Sequence, residues 1–95
     1  YLARNDDTNA FADFNQALRL SPSNADYYYQ RGVAYEMLKD NKRASESFAM
    51  AIEFNNKHAG AYRHMSTALQ ALGNTELATQ YRQKADELAP PKKAK

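Results

Sequence analysis

One fixed spacing recurs along the sequence, and this internal period constrains the fold more than any other feature of the chain. The spacing that leads from Ala10 to Ala44 leads on to Ala78. The same shift also superimposes Ala17 on Ala51 and Ala85, Phe14 on Phe48, Tyr1 on Tyr35, Tyr28 on Tyr62, and Leu38 on Leu72. So many matches at one spacing indicate one structural unit that recurs along the chain and packs against its own copies.

The composition indicates that this unit is helical. The 95 residues include 17 Ala and 8 Leu but only one Val and one Ile. Strands are enriched in β-branched residues, whereas Ala is the best helix former. With only three Gly and three Pro to interrupt helices, we expect an all-α chain that forms one domain.

Breaks divide each period into two helices. We predict helices over residues 25–39, 42–54, 59–72 and 75–88, with turns at Asp40-Asn41 and at Gly73-Asn74. Pro22 ends the preceding helix, and Ser23 or Asn24 is predicted to cap the next one. In the first period, residues 1–4 are predicted to be the last turn of a first helix, and residues 7–20 to be the second helix.

This pattern resembles the tetratricopeptide repeat, a helix-turn-helix unit of about 34 residues. The matching residues are Tyr28, Gly32, Tyr35, Ala44, Phe48 and Ala51 in one unit, Tyr62, Met65, Ser66, Leu69, Ala78, Ala85 and Pro90 in the next, and Tyr1, Ala10, Phe14, Ala17 and Pro22 in the first. Arg31 and Asn56 depart from the Leu and Pro that are usual at their places. The resemblance implies a right-handed helical solenoid over residues 1–92, with a partial repeat at 1–24, full repeats at 25–58 and 59–92, and a basic tail at 93–95.

A groove is expected on the side of each first helix that does not face its partner helix. At about 100° per residue, Tyr28, Gly32 and Tyr35 share the packing side. The resemblance implies that the opposite sides of stacked first helices line a concave surface, and we expect its residues to take no part in packing. The predicted partner-binding residues are Asp26, Tyr29, Gln30, Val33, Met37, Arg63, His64, Thr67 and Gln70.

We therefore predict a non-catalytic module that binds a peptide or helix of another protein in this groove. The alternative is a structural or self-assembly segment of a longer solenoid or of a multidomain protein. No cofactor or metal site is expected, because His58 and His64 lie six residues apart without Cys or a carboxylate at a chelating spacing. No Gly-rich loop or nucleophile motif indicates catalysis.

The charge and motifs limit the partners. A net charge of +2 is too small to indicate nucleic acid. No apolar run is long enough for membrane insertion, and no signal peptide opens the chain, so a cytoplasmic location is favoured. In the resembling family, a clamp for chaperone tails requires Lys, Asn and Arg at places that here hold Gln30, Gly60 and His64. That clamp is not matched.

The two ends of the array are predicted to differ. Arg82 stands where the earlier periods have Phe14 and Phe48. Because that aromatic packs against a following unit, the charged residue predicts that the array closes here. At the other end, Phe14 and Leu18 have lost most of the helix that would cover them. We expect a homo-oligomer through this N-terminal end.

Overall fold

Five α-helices make up the computed structural model, which describes residues 2–89. They are α1 (Leu2–Leu20), α2 (Ala25–Met37), α3 (Asn41–Phe54), α4 (Ala59–Ala71) and α5 (Thr75–Leu88). No strand occurs between residues 2 and 89, and the predicted all-α class is confirmed. The bounds of α2 to α5 agree with the predicted helices to within two residues.

The first helix differs from the prediction. The expected break before Asp7 is wrong, because α1 runs without interruption from Leu2 to Leu20. This stretch contains neither Gly nor Pro. A helix of about one turn is too short to be stable by itself. Continuing the helix therefore keeps backbone hydrogen bonds that a turn would lose.

The two turns inside the repeats are closed by the same hydrogen bonds, one period apart. Lys39 (φ 65°) and Gly73 (φ 89°) both adopt the left-handed conformation. The next residue then donates its backbone N–H back into the helix, from Asp40 to the Tyr35 carbonyl at 3.0 Å and from Asn74 to the Leu69 carbonyl at 2.8 Å. This arrangement satisfies carbonyls at the helix end and reverses the chain in the same way in both repeats.

Side chains cap three of the helix N-termini. Asn24 accepts from the backbone N–H of Tyr27 at 3.2 Å, as predicted. Asp40 caps α3 in the same way, and His58 caps α4 by accepting from Ala61 N–H through Nδ1 at 3.1 Å. His58 stands one period after Asn24, so the two caps are equivalent positions of the repeat.

The helices form two rows. Within the described residues, helices α2 and α4 contact each other, whereas α1, α3 and α5 have no contacts among themselves. Helix α3 packs against α2 and α4, and α5 packs against α4. The first helices of the two full repeats thus lie side by side in an inner row, with the second helices spaced apart outside them.

The core lies where one unit meets the next. One buried cluster joins α3, α4 and α5 and consists of Ala44, Phe48, Met65, Ala68, Leu69 and Ala78. Phe48 is fully buried, and its ring covers Gly32 so closely that a Cβ there would lie 2.6 Å from the ring. The ring of Phe48 also lies 5.5 Å from that of His64 in the next unit. Phe48 therefore fills the space between units, as its place in the repeat predicts.

Equivalent tyrosines tie each unit to the loop before it. The hydroxyl of Tyr28 donates to the Pro22 carbonyl at 3.0 Å, and that of Tyr62 donates to the Asn56 carbonyl at 3.0 Å. The repeat in sequence is thus also a repeat of hydrogen bonds.

Candidate functional site

The nine predicted partner-binding residues all belong to α2 and α4, and we call the sides of these helices that carry them the inner face. Six are exposed, and they are Asp26, Gln30, Met37, Arg63, Thr67 and Gln70. Tyr29, Val33 and His64 are instead partly buried. The expectation that no residue of this face takes part in packing is therefore wrong for these three.

Tyr29 lies at the centre of the inner face and joins the two units. Its ring centroid is 4.6 Å from that of His58, 5.5 Å from His64 and 5.9 Å from Phe48. Burial, and to a smaller extent the charge of Glu36, raises the pKa of the Tyr29 hydroxyl. Val33 packs beside it against the core cluster. Tyr29, which was predicted to bind a partner, thus holds α2 to α4.

Two histidine–carboxylate pairs flank Tyr29. His64 Nδ1 lies 2.8 Å from Glu36 Oε1, and His58 Nε2 lies 3.3 Å from Asp26 Oδ1. Because Nδ1 of His58 accepts the capping bond from Ala61, its Nε2 carries the proton and donates to Asp26. The His64–Glu36 pair joins the two units, and the His58–Asp26 pair joins α2 to the cap of α4.

Sequence reasoning did not assign His58 to this site, and it placed Glu36 on the same side of α2 without predicting its contact with His64. The signal for His58 was available, because it occupies the same place in the repeat as the capping residue Asn24. The contact of Glu36 with His64 depends on how one unit rotates against the next, which no periodicity within a helix reveals.

Arg63 is partly engaged within its own unit. Its Nη1 donates to Asp86 Oδ1 at 3.2 Å, and its Nη2 donates to the carbonyl of Ala89 at 3.3 Å. The guanidinium therefore braces the end of α5 against α4. A partner that used Arg63 would share it with Asp86.

The side chains left for a partner are mostly polar. Gln30, Thr67 and Gln70 are exposed, and Met37 is 75% exposed. Amide and hydroxyl groups hydrogen-bond to a peptide backbone, and an exposed methionine packs against varied apolar side chains. Within the described residues, no group of three or more His, Cys, Asp or Glu side chains is arranged to hold a metal ion.

A concavity with a volume of about 840 Å³ lies on the outer side, between α1 and α3. Its main polar group is Arg31, which donates from Nε to Ser47 and from Nη1 to Asn15, both at 3.1 Å. The guanidinium also lies 5.3 Å from the centre of the Tyr28 ring. Arg31 thus links α1, α2 and α3, which explains how it replaces an apolar residue at this place.

None of the helices between residues 2 and 89 has the length and apolar content needed to cross a membrane.

Models of two sequence families match the chain over residue ranges that overlap. The first is described as a TPR repeat and matches residues 1–39. The second is described as a tetratricopeptide repeat and matches residues 25–58.

Relatives of known name share this segment. Hsc70-interacting protein 1 of Drosophila melanogaster is 35% identical over 69 residues, which cover 73% of this chain and 18% of the fly protein. Human serine/threonine-protein phosphatase 5 is 33% identical over 78 residues, covering 82% of this chain and 16% of the phosphatase. The chain therefore spans less than a fifth of the length of either relative.

Solved structures share the fold. Two crystal structures of MamA superimpose with TM-scores of 0.84 and 0.82, each at 24% identity. Both alignments cover 92% of this chain, and they cover 51% and 48% of the MamA chains. At this identity the likeness shows a shared helical fold alone.

Proposed function

The chain belongs to the tetratricopeptide repeat family, whose members serve as protein-interaction modules, and from this premise we propose that its inner face binds an extended or helical segment of a partner protein. In this proposal the chain itself is non-catalytic, residues 1–24 form a partial unit, and residues 25–58 and 59–92 form two full units. The phosphatase activity named for the human relative is not transferred, because the match covers 16% of that protein.

The proposal rests on one observation: some side chains of the inner face pack the two helices together, and others are exposed. Tyr29, His58 and His64 hold α2 and α4 together. Gln30, Met37 and Thr67 extend from the same two helices and are exposed. A rigid support with exposed side chains is preorganised for binding, since little order must be gained when a partner arrives.

The chemistry of the face favours a partner segment with an apolar anchor and free backbone amides. Met37 offers an apolar contact at one end of α2, while the Gln30 and Gln70 amides supply donors and acceptors. Because one relative is named for its interaction with Hsc70, Hsc70 is the first partner to test. Gln30, Gly60 and His64 stand where the chaperone-tail clamp has Asn, Lys and Arg, which argues for a contact outside the tail.

Site-specific photo-crosslinking tests the inner face directly. A photoreactive residue at Gln30, on α2, is compared with one at Gln83, which is exposed on α5. We expect the position 30 probe to trap a specific partner, Hsc70 or another protein, that the position 83 probe does not. Equal labelling from both positions, or labelling from position 83 alone, contradicts the proposal.

The alternative remains a structural or self-assembly segment, with homo-oligomers formed through the N-terminal end. The expectation that Phe14 and Leu18 are uncovered is wrong for Leu18, which is 7% exposed, and Phe14 is partly buried. Sedimentation velocity over a range of concentrations separates the two functions. Association that grows with concentration favours self-assembly. A chain that stays monomeric favours partner binding.

A further inference from the structure

A polar cavity of about 130 Å³ lies on the face of α4 and α5 that none of the other described helices covers. We name this surface the end face. Its lining residues are Ser66, Gln70, Thr75, Ala78, Thr79 and Arg82. It is separate from the inner face except for Gln70, which lies where the two surfaces meet.

The repeat supplies an internal comparison for the end face. The residues one period earlier than Ser66, Gln70 and Arg82 are Gly32, Glu36 and Phe48. Those earlier residues form the surface onto which α4 docks, since Phe48 lies in the core with Met65 and Ala68 of α4. The end face therefore has the position of a helix-docking surface.

The chemistry of the end face differs from that of the earlier surface at these three places. A buried aromatic ring is replaced by a guanidinium, a carboxylate by a neutral amide, and the glycine beneath the ring by a serine that is 6% exposed. Thr79 already donates its hydroxyl to the Thr75 carbonyl at 3.0 Å. The other polar side chains that line the cavity are those of Ser66, Gln70, Thr75 and Arg82.

Within the described residues, no carboxylate pairs with the charge on Arg82. Arg82 is exposed, and the ion pairs among these side chains involve Arg43, His58, Arg63, His64 and Lys84 instead. A guanidinium beside an amide and a hydroxyl offers several N–H and O–H donors to one acceptor. This donor set is complementary to a carboxylate.

We propose that the end face binds a helix of a partner protein that carries Asp or Glu at the place where α4 carries His64. His64 is the residue of α4 that lies 2.8 Å from Glu36 and, ring to ring, 5.5 Å from Phe48. On a helix docked in the same way one unit later, the equivalent side chain meets Gln70 and Arg82. A carboxylate accepts from both, whereas His⁺ or Lys would be repelled by Arg82.

Residues 90–95 carry three lysines and no acidic side chain, so they do not supply a carboxylate for Arg82. An acidic helix supplied by another protein meets the requirement.

Two fluorescent peptides probe the end face. Both carry residues 59–71 of this chain, one with His64→Glu and the other with His64→Gln. Binding to the full chain by fluorescence anisotropy should be about tenfold tighter for the Glu peptide, because a charge-assisted hydrogen bond replaces a neutral one. The advantage should shrink as salt is raised.

Two variants locate the binding site. In Arg82→Gln, whose exposed side chain leaves the core unchanged, the preference for the Glu peptide should disappear. In Ser66→Gly combined with Arg82→Phe, which restores the pair found in the preceding unit, the unmodified His peptide should bind better than the Glu peptide. Alanine at Gln30 and Met37 on the inner face should leave the preference unchanged, so this test fails or succeeds independently of the proposed inner-face function.

Several outcomes overturn the proposal. They are equal affinity for the two peptides, no binding of the Glu peptide at millimolar concentration, and a preference that persists in Arg82→Gln. Sedimentation of the full chain tests whether a second copy of the chain occupies the end face instead. A dimer that Arg82→Gln dissociates would assign the end face to a second copy of this chain and not to a separate partner.

Discussion

At the residue scale, the contact between Gly32 and Phe48 gives the clearest prediction of stability. A Cβ at Gly32 would lie 2.6 Å from Cε1 of the fully buried Phe48, and a packed core has no space into which the ring can retreat. Gly32→Ala should therefore lower the free energy of unfolding by about 1–3 kcal/mol in urea denaturation.

The matched control uses the same place in the following unit. Ser66→Ala removes a hydroxyl where Arg82 replaces the phenylalanine, so it should cost less than about 1 kcal/mol. Equal costs for the two alanine variants would show that the ring does not restrict position 32.

Tyr29 gives a prediction about alkaline pH. Its pKa is raised in the folded chain, by burial first and by Glu36 second, so folding favours the protonated hydroxyl. The stability that this proton contributes is fully present below the ordinary tyrosine pKa of about 10. It is lost as the pH rises through the folded pKa.

Tyr29→Phe removes the titrating group and keeps the ring. The variant should lose less stability between neutral and strongly alkaline pH than the native chain, as measured by urea midpoints at a series of pH values. An identical decline in both proteins would contradict the contribution of Tyr29.

At the element scale, each repeat turn has one residue in the left-handed conformation, which is Lys39 in the first turn and Gly73 in the second. Gly73 has a φ of 89°, and no atom lies within 4 Å of a Cβ built there, so Gly73→Ala would add backbone strain and no clash. We expect a loss of about 1–2 kcal/mol by thermal or urea unfolding.

Lys39 is the control for this turn. It already bears the strain at a φ of 65°, and Lys39→Gly relieves it while making the unfolded chain more flexible. The two effects oppose each other, so the net change should be smaller than that of Gly73→Ala. A large destabilisation from Lys39→Gly would mean that its side chain stabilises the turn.

Helix bounds followed from the sequence wherever turn residues recur with the period. Gly73-Asn74 and Asp40-Asn41 mark chain reversals at the same place in each unit, and the helices around them were predicted to within two residues. The predicted break before Asp7 is wrong, because the residues of α1 that precede it are too few to form a separate stable helix.

The exposed part of the candidate site was also predictable, but its packing was not. Helical periodicity identifies the side of α2 that carries Gln30 and Met37. It does not say that α4 approaches closely enough for Tyr29 and His64 to meet, with ring centroids 5.5 Å apart. That contact depends on the angle between units, which arises from the whole interface.

At the scale of the whole molecule, stability depends on contacts between neighbouring units. Phe48 touches its own unit through Gly32 and the next through His64. Phe48→Ala should therefore cost about 3–5 kcal/mol and also weaken the coupling between repeats. Hydrogen exchange should show α4 and α5 opening apart from α2 in this variant. Uniform exchange across α2 to α5 would indicate that the units remain coupled without the ring.

The inner face is the central functional claim, and calorimetric titration of the crosslinked partner tests it most directly. One variant carries alanine at Gln30, Met37 and Thr67, and a matched variant carries alanine at Lys42, Glu46 and Gln80, which are exposed on the outer helices. Both variants should have the same melting temperature as the native chain. The inner variant should bind at least about tenfold more weakly, since a few side chains dominate most interfaces, and the outer variant should bind like the native chain. Native affinity in the inner variant, with a loss in the outer one, would contradict binding at the inner face.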